Sequence, residues 1–227
     1  MNRDSNTYTI IYASVMVVAV AVLLAFTAQS LRGYQKANED NDKRQQILRS
    51  IHVDVKANEA EAKFNELIED AFLVDDNGNK VEGDAFEANA TKTFAAHKYP
   101  VFVANIDGQK KYVMTLQGAG FWGPLWGYIS LNNDFNTIYG ADFSHEGETP
   151  GLGAEIATSS FRSRFDGKHI FQGDKFTSVA IVKVGKSVEG QDYVDGISGG
   201  TITSKAADVM ISGCLSKYVG FLTSQKK

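Results

Sequence analysis

The chain has 227 residues, of which 43% are hydrophobic and 22% charged, with a net charge of −4. That length suits one sizeable domain with additions, and the composition excludes a disordered chain and a basic nucleic-acid-binding surface. The single cysteine, Cys214, excludes a disulfide within the chain and any cysteine-ligated iron–sulfur or zinc cluster built from this chain alone.

No charged residue occurs from Ser5 to Leu31, and Asp4 and Arg32 bound the run. The stretch Ile10 to Phe26 is almost wholly apolar, which meets the requirement of roughly 20 apolar residues for a helix across a bilayer. It is longer than an ordinary signal-peptide core, no small-x-small cleavage site followed by a clear mature start appears, and Ala28 does not sit in an A-x-A triplet, so a transmembrane helix is the reading. Arg3 precedes the helix, whereas Arg32, Lys36, Lys43, Arg44 and Arg49 follow it. Charge counting alone would place the large domain in the cytoplasm, but long domains translocate largely regardless of charge.

Arg32 to Leu48 reads as a polar helix continuing from the apolar one. Ala60, Phe64, Leu67, Ile68 and Ala71 have helical spacing and predict a helix from Ala57 to about Phe72. Asp75-Asp76-Asn77-Gly78-Asn79 between apolar flanks predicts a hairpin turn; the spacing of a calcium loop is missing. A second hairpin is predicted from Val101–Ile106 and Lys111–Leu116 around Asp107-Gly108. Strands are expected at Ile129–Leu131, Thr137–Phe143 and Phe176–Val182. From Ser204, a plausible N-cap, Ala207, Met210, Cys214, Tyr218 and Phe221 recur at three- and four-residue spacing, which predicts an amphipathic helix with Cys214 as a buried small hydrophobe. The expected class is α+β: residues 1–7 a short tail, 8–31 the transmembrane helix, 32–72 a helical stalk, and 73–227 one domain with a twisted antiparallel sheet and a C-terminal helix.

Two segments offer chemistry. Asp195-Gly196-Ile197-Ser198-Gly199-Gly200-Thr201-Ile202-Thr203-Ser204 leads into the C-terminal helix, where small residues permit close approach and free N–H groups suit a phosphate. Its hydroxyls at Ser198, Thr201, Thr203 and Ser204 are donors or sites of esterification. The other reading is a glycine-rich turn into a capped helix. The second segment runs His145-Glu146-Gly147-Glu148-Thr149-Pro150-Gly151-Leu152-Gly153-Ala154-Glu155. It forms either a narrow loop whose amides face a planar ring or a plain connection. Zinc-ligand spacing is absent, so no metal site is assigned. Ser198 lacks the glycine context of an esterase nucleophile, and no catalytic residue is assigned. Trp122 and Trp126 serve either sheet packing or a cofactor wall.

Taken in order, these segments resemble the C-subunit family of sodium-translocating NADH:quinone oxidoreductases. The match rests on a D-x-x-(S/T)-G-A-T signature at Asp195, Ser198, Gly199 and Thr201, with Gly200 where alanine is usual. It also rests on E-T-P-G-L-G at Glu148 to Gly153, on G-F-W-G-P-L-W-G-Y at Gly120 to Tyr128, and on the single N-terminal helix. The resemblance implies FMN joined through its phosphate to Thr201. The cofactor site would also draw on Trp122, Glu148, Thr149, Pro150, Gly151, Leu152, Gly153, Ser198, Gly199, Gly200 and Thr203. A separate flavin transferase would attach FMN from FAD with magnesium, recognising Asp195.

The resemblance further implies a single-pass subunit of the bacterial inner membrane, anchored in lipid, with a cytoplasmic amino terminus and a periplasmic main domain. Its flavin would pass electrons from an iron–sulfur centre to a flavin in the B subunit, within a complex that exports sodium as NADH reduces quinone. The B, D and E subunits are the expected partners. No G-x-G-x-x-G lies between a strand and a helix, so NADH is expected on another subunit, and no nucleic acid is expected. The G subunit of the related ferredoxin:NAD oxidoreductase complex matches less well in the Trp-rich segment. A membrane-anchored binding or assembly module without a cofactor is the alternative of a different class.

Overall fold

The structure is a computed structural model that describes residues 5–226; residues 1–4 of the expected tail lie outside the described residues. Helix α1 spans Asn6–Arg49, so the apolar run and the polar run form one continuous helix. By length and composition its apolar part is able to cross a membrane. The chain divides into two compact units, one through Asp42 and one from Lys43 to the carboxyl end. In the first unit, polar groups are handled locally. The Thr27 and Ser30 hydroxyls donate to the Leu23 and Phe26 carbonyls, as hydroxyls do when water is scarce.

The second unit holds the last turns of α1 and all that follows. Helix α2 is Ala57–Leu67, and strand β1 is Ile68–Val74. The helical spacing through Phe72 is therefore corrected, because the helix stops at Leu67. Residues 68–74 instead pair with β3, and the ladder hydrogen bonds outweigh a local helical period. β2 (Lys80–Val81) closes the expected hairpin on β1. The Asp75 carboxylate accepts from the Asn77 and Asn79 amides at 2.9 Å and so shapes the turn.

Helix α3 (Ala90–Ala95) is capped by Asn89, whose side chain accepts from the Lys92 amide. β3 (Tyr99–Ile106), β4 (Gln109–Ala119), β5 (Pro124–Leu131) and β6 (Ile138–His145) complete an antiparallel sheet of order β2-β1-β3-β4-β5-β6. The Gly-Trp run is thus partly strand, since β5 begins at Pro124. α4 (Ser159–Arg162) and two single-turn 3₁₀ helices, Gly153–Ala157 and Ser163–Phe165, follow β6. β7 (Phe171–Gln172) and β8 (Lys175–Phe176) form a small antiparallel pair. The single strand expected at Phe176–Val182 is corrected to β8 and β9 (Val179–Val182), interrupted where Ser178 turns left-handed at φ 61°. β9 pairs in parallel with β10 (Asp192–Asp195).

Helix α5 (Thr201–Leu215) and helix α6 (Val219–Gln225), joined by a 3₁₀ turn, end the chain. Both faces of the sheet are covered. On one face Val101, Met114, Leu116 and Ile129 pack with Ala207, Met210, Ile211 and Leu215 of α5. On the other, Phe102, Ala104, Val113 and Tyr128 pack with Ile47, Leu48, Ile51 and Phe64. The two-residue alternation along β3 and β4 sorts side chains between these cores. Arg49 and Arg162 both bind Asp142, which is 1% exposed, fixing the end of α1 and α4 onto β6. The mixed helix-and-sheet class, with a long apolar N-terminal helix and an antiparallel sheet, is the one expected from the sequence.

Candidate functional site

The site forms where three loops meet above the start of α5. The first is the turn after β10. Gly199 sits at φ +77°, a conformation glycine adopts at no steric cost. Gly200 is the helix N-cap, and Thr201 is the first helical residue. The expected cap at Ser204 is corrected: Ser204 lies one turn inside α5. Its hydroxyl accepts from the Ile197 amide at 2.9 Å, so it serves the entering loop and not the helix end.

That leaves the helix start open. No acceptor for the amides of Thr201, Ile202 and Thr203 is found among the described residues. Thr201 and Ser198 are exposed, whereas Thr203 and Ser204 are buried. A cleft of about 300 Å³ lies beside Thr201, bordered by Ile181, Lys183, Ile197, Gly199 and Lys205. Asp195 is exposed at the end of β10, and its carbonyl accepts from Arg164 at 2.8 Å.

The second loop follows β6. Thr149, Pro150, Gly151 and Leu152 are exposed, and the Thr149 carbonyl accepts from the Leu152 and Ala154 amides, both at 3.1 Å. Leu152 leans on the glycine turn. A Cβ at Gly199 would lie 2.8 Å from its Cδ2, and one at Gly200 would lie 3.3 Å from its carbonyl oxygen. Gly153 is buried, and a side chain there would run into Glu148 and Thr203.

The third loop joins β4 to β5. The Gly120 amide donates to the Gly123 carbonyl at 2.7 Å, and the tight turn displays Phe121 and Trp122, 51% and 65% exposed. Their rings meet edge to face at 4.8 Å. Trp126, by contrast, is partly buried and donates to Gln46 at 2.9 Å. Of the two tryptophans, Trp122 is the more exposed and is the one displayed on the tight turn.

Glu148 ties the loops together. Its carboxylate accepts from the Thr203 hydroxyl at 2.6 Å, from the Phe121 amide at 2.7 Å and from the Trp122 amide at 3.1 Å. Burial opposes its ionisation, but these hydrogen bonds, with His145 nearby, outweigh that and hold the carboxyl below the ordinary glutamate range. The structure thus gathers the three segments singled out in the sequence. It turns Glu148 and Thr203 inward, toward each other, and Thr201 outward. The exposed Phe121 and Ile202 are additions; the aromatic run signalled the first, and an apolar residue at an exposed helix start signals the second.

These donors fit a phosphate-bearing planar cofactor. A helix start with three free amides suits a phosphate, and exposed apolar side chains flank it. A family model for an FMN-binding domain matches residues 120–216, the span that holds all three loops. This defines the class, a flavin-binding domain. The crystal structure of the C subunit of the Na(+)-translocating NADH-quinone reductase from Parabacteroides distasonis is 68% identical and superposes with a TM-score of 0.84, covering 85% of this chain and 97% of that one. The corresponding subunit from Haemophilus ducreyi is 30% identical over 91% of this chain and 88% of its own length. That from Pseudomonas aeruginosa is 27% identical over 100% and 98%. The chain belongs to the family of Na(+)-translocating NADH-quinone reductase C subunits.

Proposed function

We propose that this chain carries FMN as a phosphoester on Thr201 and relays electrons within a sodium-exporting NADH:quinone oxidoreductase. On this reading the donor is an iron–sulfur centre, the acceptor is a flavin of the B subunit, and the B, D and E subunits are neighbours. Residues 8–31 cross the bacterial inner membrane from a cytoplasmic amino terminus, and the compact unit from Lys43 onward, which takes in most of the expected stalk, is the periplasmic domain. A transferase takes FMN from FAD and recognises exposed Asp195.

The observation that carries the reading is the sorting of hydroxyls at the glycine turn. Thr203 donates to Glu148 and Ser204 accepts from Ile197, and both are buried. Thr201 stands exposed at the first position of α5. The amides of Thr201, Ile202 and Thr203 would bind phosphate oxygens, and the positive end of α5 favours that charge by about 0.3–1 kcal/mol. Leu152 with the Thr149–Gly153 loop, and Trp122 with Phe121, would cover the ring and limit water. When bound, FMN supplies the redox chemistry, and the protein supplies position and electrostatics. A covalent tether suits a carrier outside the cytoplasm, where free FMN would be diluted away.

The test is intact mass measurement of the full chain made together with its flavin transferase. One added FMN is expected, on the peptide that contains Thr201. Thr201→Ala abolishes the addition, whereas Thr203→Ala and Ser198→Ala retain it. Loss in Thr203→Ala with retention in Thr201→Ala would move the site, and an unmodified native chain would leave only a tethered domain.

A further inference from the structure

We infer that Glu148 is a positioning residue that locks the Phe121–Trp122 pair to the first turn of α5. The inference rests on the reading of Thr201 as the flavin-bearing residue and adds how the facing wall of that site is held.

Phe121 and Trp122 are more than half exposed, so packing does little to fix where they stand. Their turn is closed by the Gly120–Gly123 hydrogen bond, and the Phe121 and Trp122 amides both point at one carboxylate oxygen of Glu148. The other oxygen takes the Thr203 hydroxyl, two residues into the helix that starts at Thr201. One side chain, 5% exposed, therefore joins the aromatic loop and the helix start. Burying a carboxylate is costly unless its oxygens are satisfied, and here three donors meet them. Gly153 keeps the space clear, because any side chain there would collide with Glu148 and with Thr203.

Geometry and charge separate cleanly by substitution. A glutamine at 148 would keep an oxygen for the two amides and turn its NH₂ toward Thr203, whose hydroxyl can also accept. Glu148→Gln therefore keeps the link and removes the charge, while Glu148→Ala removes both. Thr203→Val cuts only the connection to the helix.

The test uses the full chain in two forms, made without and with the flavin transferase. In the unmodified form, hydrogen exchange at the Phe121 and Trp122 amides is expected to speed by about tenfold or more in Glu148→Ala, the scale of one lost charge-assisted hydrogen bond. Glu148→Gln should stay within about threefold of the parent on the same scale. In the modified form the added mass is measured for each variant and the dichroism is read per bound flavin. The visible circular dichroism of the flavin, which reports a fixed asymmetric setting, falls by at least half in Glu148→Ala and is retained in Glu148→Gln. Thr203→Val lies between and carries the same test if Glu148→Ala does not fold. Unchanged exchange and dichroism in Glu148→Ala and Thr203→Val would overturn the inference, as would equal loss in Glu148→Gln. A parent chain without FMN would instead overturn the covalent reading, and exchange in the unmodified form would still judge Glu148.

Discussion

The carboxyl of Glu148 lies below the ordinary glutamate range because hydrogen bonds to its charged form outweigh the cost of burial. A group whose folded value is lowered stabilises the fold above its unfolded value, near 4.3, and that contribution fades as pH falls through the folded value. The melting temperatures of the parent and Glu148→Gln should therefore differ most near neutral pH and converge in acid. A constant difference from pH 7 to pH 3 would contradict this. Gly200 gives a second prediction. An alanine Cβ there would sit 2.9 Å from Ile197 Cγ2 and 3.1 Å from its Cβ. A branched side chain cannot simply swing away, so Gly200→Ala should destabilise by about 1 kcal/mol, and Gly200→Ala with Ile197→Ala should regain the crowding part. Denaturant unfolding of both variants checks it. Gly200 thus leaves the space that the branched side chain of Ile197 occupies.

At the scale of elements, the end of α1 is held by the buried carboxylate of Asp142. Arg49 grips it with two nitrogens at 3.0 Å, and Arg162 adds a third contact at 2.6 Å. Removing one member of such a cluster strands the others, so Asp142→Ala should cost about 3 kcal/mol, read from denaturant unfolding. A change under 1 kcal/mol would show that solvent already screens the two guanidiniums. The elements also show what the sequence could tell. Hairpins were readable because Asp75–Asn79 and Asp107-Gly108 carry local turn chemistry. The boundary at Leu67/Ile68 was not, because residues 68–74 become a strand only through pairing with β3, some thirty residues away. Ser204 shows the same limit. Its hydroxyl is of a capping type, but which amide it serves depends on how the loop from Ile197 folds back.

For the whole molecule, the division at Asp42/Lys43 predicts where the chain can be cut. A fragment beginning at Lys43 keeps Ile47, Leu48 and Arg49 and should melt within about 4 °C of the same unit in the full chain, the shift of less than about 1 kcal/mol. One beginning at Ser50 loses Ile47 and Leu48, both fully buried, and the Gln46–Trp126 bond. Each buried aliphatic residue is worth about 2–5 kcal/mol, so the shorter fragment should be largely unfolded at 25 °C by circular dichroism. At this scale the family was legible because its motifs occur in order along one chain. The Glu148–Thr203 contact was not, though both residues were singled out, because it joins positions 55 apart and only the folded sheet brings them face to face.

On the proposed attachment of FMN to Thr201, the mounting of that residue bears on how charge would travel. It opens a helix whose Ala207, Met210, Ile211 and Cys214 are sunk in the hydrophobic interior. A prosthetic group fastened there is no swinging arm: it has the few bonds of its own linker for reach, and its base moves only when the domain does. On that reading, shuttling between two distant redox stations would fall to the neighbouring proteins.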